Sequence, residues 1–188
     1  MTNKAIDALM HEHEIILKVV RGLDRIASAL TAKRPADVET LREAVAFMRT
    51  FADKCHHGKE EDLLFPALVA AGVPDAGGPV GVMKSEHVQA RECVTRFAEA
   101  VERHARGEPA ARDEIVHAIA CLNGLYPQHI LKENNVLFPM ADKILTETSL
   151  ERLYEAFEKV EEALGEDLHH RFASFAKRLE TETLAEPV

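Results

Sequence analysis

Two stretches of the sequence share one pattern that decides the fold. Residues 54–67 read KCHHGKEEDLLFPA, and residues 127–141 read PQHILKENNVLFPMA. Each stretch contains a His, a Glu four residues later and a Leu-Phe-Pro ending, and the two patterns are 73 positions apart. Residues four apart are neighbours on one face of a helix. The chain therefore contains the same helical unit twice.

The repeat also includes the helix that precedes each stretch. Glu12-His13 returns as Glu86-His87, 74 positions later. Each half of the chain therefore has the pattern of a helical hairpin, with a lone His on its first helix and a His followed by a Glu on its second. This internal symmetry is the strongest indication of function in the sequence.

Composition and charge limit the fold class and the partners. The 188 residues include no Trp and only 5% aromatic side chains, which favours long helices in one domain. The formal charge is −9 and no block of Lys or Arg occurs, so we expect neither nucleic acid nor an anionic membrane as a partner. The N-terminus has no secretory signal, and no apolar run reaches membrane-spanning length. We expect a soluble, cytoplasmic protein.

The cysteines and one tyrosine are expected to have structural roles. Cys55, Cys93 and Cys121 form no CxxC motif, and we expect reduced thiols, as in a cytosolic protein. Cys55 and Cys121 flank the inward helix faces and are interpreted as core filler. Tyr126 lies one turn before His129 and is either an ordinary core tyrosine, which we favour, or a redox-active phenol.

Clusters of Pro and Gly separate five segments in which apolar residues recur with the helical period. Asp37 is the expected N-cap of the second helix, and Pro127 predicts a kink or short break in the fourth. Four helices of about 25–30 residues with short connections predict an all-α, up-down-up-down four-helix bundle. Their expected positions are residues 6–30, from Asp37 to just beyond Pro66, 80–106 and 110–141.

A fifth helix is predicted to follow the bundle. It begins at Thr148, where Glu151 completes a capping box, and it carries one apolar stripe from Leu150 to Leu179. This stripe must be covered, so we expect it to dock on the bundle or on another subunit in a homo-oligomer. The predicted organisation is a bundle at residues 1–145 and a C-terminal amphipathic helix at residues 146–188.

A helical wheel selects one His on each bundle helix for the inward face. At about 100° per residue, these histidines share a face with apolar residues, and a Glu joins them on the second and fourth helices. His57 and Glu61 turn towards solvent on the same wheel. The other histidines, His11, His104, His117, His169 and His170, are expected to be exposed; for the last two, an approach to the mouth of the bundle is the alternative. The inward set is His13, His56, Glu60, His87, His129 and Glu133.

A metal site explains this inward set better than separate core residues do. A lone His on an apolar face is more often a hydrogen-bonded core residue, and a lone Glu there is often only partly buried. Two buried carboxylates without a cation, however, cost on the order of several kcal/mol each. A pair of divalent cations supplies that charge. Imidazole nitrogen with bridging carboxylate oxygen suits iron, with manganese or zinc as less specific substitutes.

The pattern resembles that of hemerythrin-like (HHE cation-binding) domains. The six inward residues follow the H-HxxxE-H-HxxxE motif of that family, and the KEEDLLFP and KENNVLFP stretches look like its helix endings. The resemblance spans residues 7–142. It implies a four-helix bundle that holds two non-haem irons, bridged by Glu60 and Glu133 and capped by the four histidines.

Two departures from the family pattern argue against simple oxygen transport. Oxygen-carrying hemerythrins have a second His four residues from the first on the third helix, where this chain has Met83 and Arg91. They also have an Asp five residues after the last His, where this chain has Asn134. By this comparison the chain lacks one nitrogen ligand and one carboxylate, and open coordination sites favour reactions at the metals.

The resemblance is closer to HHE proteins associated with nitric oxide or peroxide stress, iron sensing or repair of iron–sulfur clusters. It implies a di-iron protein that reacts with or senses O₂, NO or peroxide. Three alternatives stay open: an enzyme that consumes peroxide or NO, a sensor or storage module without turnover, and a structural bundle in which zinc serves equally well. A reversible O₂ carrier is the weaker interpretation.

Overall fold

The computed structural model describes residues 3–165 and 167–181 of the chain. All regular structure within these residues is helical, so the all-α prediction is confirmed. In the bundle, α1 and α3 both pack on α4, and α2 packs on α3. The six helices of the described residues are α1 (Lys4–Thr31), α2 (residues 38–70), α3 (Gly78–Ala105), α4 (residues 111–144), α5 (Glu147–Leu164) and α6 (Leu168–Thr181).

The ends and interruptions of the bundle helices only partly follow the prediction. Asp37 is the N-cap of α2, as expected, because its carboxylate accepts a hydrogen bond from the N–H of Thr40 at 2.8 Å. The break expected at Pro127 is absent, since α4 continues through this residue. The irregular turns lie elsewhere, in the segments that contain or precede Glu60 and Glu133.

Both α2 and α4 contain π-helical turns, in which a backbone N–H donates to the carbonyl five residues earlier. The N–H of Phe65 donates to the carbonyl of Glu60, and the N–H of Phe138 donates to that of Glu133. A proline without an N–H follows each Phe, which interrupts the ordinary four-residue pattern. The π-helical segments are Met48–His57, Glu60–Leu64 and Glu133–Leu137.

The apolar core consists of two clusters with a polar layer between them. Along α1, Ile6 and Leu9 belong to one cluster and the buried apolar side chains of residues 15–30 to the other. Glu12 and His13 lie between these clusters and are 1% exposed. The polar layer is therefore enclosed by apolar side chains on both sides along the bundle.

The predicted single fifth helix is wrong, because the described C-terminal residues form two helices. Gly165, with φ at 112°, ends α5 in a conformation that favours glycine. Thr146 rather than Thr148 caps α5, since its hydroxyl accepts a hydrogen bond from the N–H of Ser149 at 3.2 Å. Residues 182–188 of the predicted segment lie outside the described residues, and the domain boundary at residue 145 stays a prediction.

The helix α6 covers its apolar side on the bundle of the same chain. It packs on α1, and the rings of Phe172 and Phe175 lie 5.4 and 6.1 Å from the ring of Phe47. Gly22 on α1 permits this approach, because a Cβ at that position would lie 2.4 Å from Cγ of Leu179. The docking on the bundle is thus one of the two expected arrangements, and a homo-oligomer stays a prediction.

The cysteine prediction needs a correction. Cys93 on α3 and Cys121 on α4 form a disulfide, so the expectation of three reduced thiols is wrong for this pair. Cys55 is free and buried, as expected of core filler. The disulfide removes one argument for a reducing compartment, and the cytoplasmic location stays a prediction.

Among the described residues, no helix has both the length and the hydrophobicity that crossing a membrane requires.

The close approach of α6 to Gly22 predicts a specific sensitivity. Gly22→Ala should lower the free energy of unfolding by about 1–3 kcal/mol, because the added methyl group overpacks the contact with Leu179. Denaturant unfolding measures this change, and limited proteolysis reports whether α6 detaches. Gly124→Ala is the matched control, since no atom lies within 4 Å of its added Cβ; we expect it to stabilise the helix by about 0.5–1 kcal/mol. Equal effects of both substitutions would contradict the packing argument.

Candidate metal centre

The six residues predicted as metal ligands meet in the polar layer between the two apolar clusters. None of the six is more than 3% exposed, and both Glu60 and Glu133 are fully buried. The structure therefore brings together every residue that the helical wheel selected for the inward face. That all six bind metal stays a prediction, and the geometry of their ligand atoms makes it more specific.

The ligand atoms form two overlapping groups. His13 and His56 meet both glutamates in one group, and His87 and His129 meet both glutamates in the other. Within each group the atoms lie within 4.8 Å of one another. Because Glu60 and Glu133 belong to both groups, the arrangement suits two ions that share two carboxylates.

The imidazoles direct their Nε2 atoms at these carboxylates. Glu133 lies between the two halves, since its Oε2 is 3.1 Å from Nε2 of His13 and its Oε1 is 3.2 Å from Nε2 of His129. Oε2 of Glu60 is 3.4 Å from Nε2 of His87 and 3.7 Å from Nε2 of His56. Both carboxylates therefore contact histidines from both halves of the chain.

The other ring nitrogen of each histidine is held by an outer side chain. In the α1–α2 hairpin, Nδ1–H of His56 donates to Glu12 at 2.9 Å. In the α3–α4 hairpin, Nδ1–H of His129 donates to Glu86 at 3.0 Å. The repeated Glu-His pair of the sequence is thus explained, because each of these glutamates orients a histidine on the neighbouring helix. Such outer bonds fix the ring and direct Nε2 towards the inner cluster, where Nε2 of His56 lies 2.9 Å from Nε2 of His13.

The remaining two outer bonds cross between the hairpins. Nδ1–H of His87 donates to Glu61 at 2.6 Å, and Nδ1–H of His13 donates to Asn134 at 2.8 Å. Glu61 and Asn134 are equivalent in the repeat, since each follows an inner glutamate, Glu60 or Glu133. Glu61 is therefore not a free solvent-facing side chain, as the wheel suggested, although 27% of it is exposed.

Two lysines, the buried Lys59 and the partly exposed Lys132, balance the outer glutamates. Nζ of Lys59 lies 2.6 Å from Oε1 of Glu12, and Lys132 pairs with Glu86 in the same way. Burial alone raises the pKa of Glu12, but the hydrogen bonds and charges of His56 and Lys59 outweigh it and lower that pKa to about 2. Glu12 is therefore an ionised hydrogen-bond acceptor at neutral pH.

The chemistry of the inner atoms fits bound cations. Both carboxylate oxygens of Glu60 and of Glu133 have no hydrogen-bond partner, and neither does Nε2 of His87 or His129. Lone pairs and negative charges that converge without hydrogen bonds, in a site closed to water, are costly unless a cation is present. Four imidazoles and two carboxylates supply both the ligands and the compensating charge for such cations.

His57 is a member of this cluster that the helical wheel assigned to the wrong side. It is 1% exposed, and its ring stacks on that of His87 with centroids 3.8 Å apart and planes 12° apart. His57 ends the π-helical segment Met48–His57, where the wider turns invalidate a fixed angle of about 100° per residue. A ligand atom of His57 lies within 4.8 Å of those of His87 and His129.

His169 also departs from its predicted exposure, whereas most of the other outlying histidines do not. Its side chain is 28% exposed, and its Nε2 lies 3.3 Å from both Glu12 and Glu161 and 3.6 Å from Sγ of Cys55. The alternative approach to the bundle is therefore correct for His169. His11, His117 and His170 are exposed, and His104 is partly exposed.

A small cavity reaches the cluster from the side of α2 and α3. Its volume is about 120 Å³, and its lining includes His57, Asp53, Arg91 and Tyr126. Tyr126 is 2% exposed, as expected for a core tyrosine, and burial raises the pKa of its phenol. A space of this size holds a few water-sized molecules, since one water occupies about 30 Å³ in the liquid.

Sequence comparison decides the family. The family description for the hemerythrin HHE cation-binding domain matches residues 4–141. The chain belongs to this hemerythrin family. Membership implies a metal-binding site, in agreement with the buried His and Glu clusters.

Similar proteins match the hemerythrin domain over different lengths. The uncharacterized protein Rv1995 of Mycobacterium tuberculosis is 25% identical over 173 residues, which are 89% of this chain and 62% of that protein. The iron–sulfur cluster repair proteins YtfE of Enterobacter sp. (strain 638) and Escherichia coli O157:H7 are 35% and 34% identical over 92 residues. That match covers 46% of this chain and 40% of each repair protein. The chain thus spans less than two thirds of these relatives, and no solved structure matches it at comparable significance.

The residues at which this hemerythrin domain departs from the oxygen carriers have defined positions. Arg91 donates from Nε to Asp53 and pairs through Nη2 with Glu61, both at 2.8 Å. It therefore fixes outer carboxylates instead of offering a ligand. Asn134 contacts His13 rather than the inner cluster. The inference that one nitrogen is missing is weakened, because His57 brings a further imidazole to the same place.

The metal-free centre is expected to hold protons that metals displace. Burial alone lowers the pKa of His87, but the neighbouring carboxylates of Glu133, Glu60 and Glu61 outweigh it and raise that pKa to about 11. Burial also lowers the pKa values of His13 and His129, but Glu133 outweighs it and raises both. His87 is therefore charged at pH 7 without metal and must lose a proton to become a ligand.

Proton release is therefore a measurable consequence. At pH 7, anaerobic loading with Fe²⁺ should release about one proton per chain from His87, and the raised pKa values of His13 and His129 add to that number. Calorimetric titrations in two buffers with different ionisation enthalpies measure that number. The stability given by raised histidine pKa values is present below about pH 6.5 and declines as pH rises towards the folded values. The melting temperatures of loaded and metal-free protein should therefore separate further between pH 6 and 8; binding without proton release would contradict this account.

Proposed function

We propose that the chain is a non-haem di-iron protein that reacts with or senses O₂, NO or peroxide. The observation that carries the proposal is the sharing of Glu60 and Glu133 by two groups of histidines, with every carboxylate oxygen unpartnered. A single ion would use only one of these groups. Two ions use all six side chains and neutralise both buried carboxylates.

The donor set favours iron among the available metals. Imidazole and carboxylate ligands suit iron, manganese and zinc, whereas soft-metal sites use thiolates. The free thiol of Cys55 lies in the outer group with Glu12 and His169, not in the inner groups. Paired carboxylates and histidines on facing helices are also the usual way in which helical bundles hold two irons. Manganese and zinc are expected to bind as substitutes.

The side chains assign distinct tasks around such a centre. When bound, two irons supply redox chemistry and open coordination positions for a small molecule. Glu60 and Glu133 hold the ions together, and the outer acids keep Nε2 of each histidine aimed inward. The apolar clusters exclude bulk water on both sides, and the cavity beside His57 and Tyr126 is wide enough for diatomic molecules or peroxide. Larger substrates do not fit this space.

The relatives support a role in stress response. The repair proteins named above act, by their name, on iron–sulfur clusters, and they share at least 34% identity with 46% of this chain. We therefore favour a function in oxidative or nitrosative stress or in iron homeostasis, and reversible O₂ transport is the weaker candidate.

Iron content under anaerobic conditions tests the di-iron proposal. Protein purified without oxygen should contain about two irons per chain, as bundle sites of this type do. His56→Ala and His129→Ala should each lower that content, because each removes a ligand from one half of the centre. His11→Ala is the control, since His11 is exposed and outside both groups. Mixed or substoichiometric metal that neither inner substitution changes would overturn the proposal.

A sensor without turnover is the second candidate, and one contact favours it. Nε2 of His169 on α6 lies 3.3 Å from Oε1 of Glu12, and Glu12 in turn holds Nδ1 of His56. Lys59 also joins Glu12 to Glu161 on α5. A change at the metals would therefore reach α5 and α6 through the contacts of Glu12 and Lys59.

Turnover and protease sensitivity separate the two candidates. An enzyme should consume many equivalents of H₂O₂ or NO per chain, and Glu60→Ala or Glu133→Ala should abolish this activity. A sensor should show no turnover, but metal loading should change the protease sensitivity of residues 145–181. His169→Ala should remove that change without lowering iron content, whereas His170→Ala serves as the exposed control. Absence of both turnover and a protease effect would leave the structural zinc bundle as the better interpretation.

A further inference from the structure

We propose that His57 is an additional metal ligand, which completes a three-histidine site with His87 and His129 and makes the two ions of the centre inequivalent. This inference rests on the proposed dinuclear centre. It adds a fifth imidazole to the four of the family motif, all of which lie in the same polar layer.

The hydrogen bonds of His57 match those of His87 and His129, whose Nδ1 atoms are also held by carboxylates and whose Nε2 atoms also have no partner. Its Nδ1–H donates to Asp53 at 3.3 Å, and its Nε2 is buried without a hydrogen-bond partner. A histidine whose Nδ1 is held by a carboxylate and whose Nε2 is free has the orientation of a metal ligand. A histidine that served only to fill the core would leave Nε2 unsatisfied, at a cost of about 1–3 kcal/mol.

The distances place a ring nitrogen of His57 close to those of two inner histidines. One ligand atom from each of His57, His87 and His129 lies within 4.8 Å of the others. With metal–nitrogen bonds of about 2.0–2.1 Å, two nitrogens on one ion are at most about 4.2 Å apart. The rings of His57 and His87 stack in nearly parallel planes with centroids 3.8 Å apart, and an imidazole nitrogen binds a metal in the plane of its ring. Binding of all three to one ion therefore requires one of the stacked rings to rotate out of the stack.

The support for His57 is built into α3. Arg91 holds Asp53, which orients His57, and the same guanidinium holds Glu61, which orients His87. One side chain therefore fixes the outer partners of two adjacent imidazoles. The position of Arg91 corresponds in the repeat to Leu17 on α1, 74 residues earlier. The other half of the centre therefore has no guanidinium at the equivalent position.

The repeat also shows that the extra histidine belongs to one half alone. The position 73 residues after His57 is Ile130, which is 3% exposed. The ion near His13 and His56 therefore has two imidazoles, whereas its neighbour has three. The three-histidine ion is expected to bind more tightly and to fill first.

Paramagnetic NMR of the Co²⁺-loaded chain counts the bound imidazoles. Each coordinated histidine whose Nδ1 carries a proton gives one strongly shifted signal that disappears in D₂O. We expect five such signals in the unaltered protein and four in His57→Ile, which installs the residue found at the equivalent position of the second hairpin. His57→Gln preserves more polarity and should also show four. Ile130→Leu is the control for repacking at the equivalent buried position and should keep all five.

Metal titration gives the second readout. His57→Ile should weaken one of the two Co²⁺ affinities by on the order of 10–100-fold or more and leave the other within a few-fold of its original value. Four shifted signals in the unaltered protein, with full loading and no affinity change in either His57 variant, would overturn this assignment but leave the dinuclear centre intact. Fewer than two bound ions in the unaltered protein would instead refute the proposed function. The count in the unaltered protein decides the question even if the variants fail to fold.

Discussion

The complete burial of two carboxylates constrains the whole structure. Glu60 and Glu133 lie between two apolar clusters, where an unpaired charge is costly. The chain surrounds them with groups that alternate between hydrogen-bond donors and acceptors. In the α1–α2 hairpin the order from outside to inside is Lys59, Glu12, His56 and Glu60. Loss of one partner therefore leaves a buried polar group without compensation.

The backbone is adapted to the same constraint. Glu60 and Glu133 each begin a π-helical turn that ends before a Phe-Pro pair. The wider turns let successive side chains of one helix approach the cluster from angles that a regular α-helix does not offer. On α2 this brings His56, His57 and Glu60 into a single buried layer. The irregularity thus serves the site rather than the bundle.

The sequence predicted the parts that depend on regular periodicity. The four bundle helices and the six inward residues follow from apolar residues at helical spacing and from the i, i+4 relation of His and Glu. His57 was misplaced because that reasoning assumes a regular turn throughout α2, and no simple composition signal marks a π-helical segment. The roles of Glu12 and Glu86 had a signal, since the Glu-His pair is repeated, but a hydrogen bond to a neighbouring helix needs the packing to be known.

The prediction of one C-terminal helix instead of two was wrong for a different reason. The apolar stripe continues in phase across Gly165, and a single glycine inside a helical pattern is often tolerated. Only the covering of the stripe by α1 requires the chain to turn back there, through the contact of Gly22 with Leu179. Tertiary packing, rather than local preference, decides that turn.

The duplicated hairpin has a consequence for how such a centre can change. Neither hairpin supplies all the ligand atoms of one group, because each group includes one carboxylate from the other hairpin. Two identical hairpins paired symmetrically would supply the same six ligands, but every substitution would then appear twice. A single polypeptide removes that coupling: the residue equivalent to His57 in the second hairpin is Ile130, and the residue equivalent to Glu61 is Asn134. Covalent linkage thus lets the surroundings of one group of His and Glu ligand atoms diverge while those of the other stay fixed, a freedom that a symmetric dimer lacks.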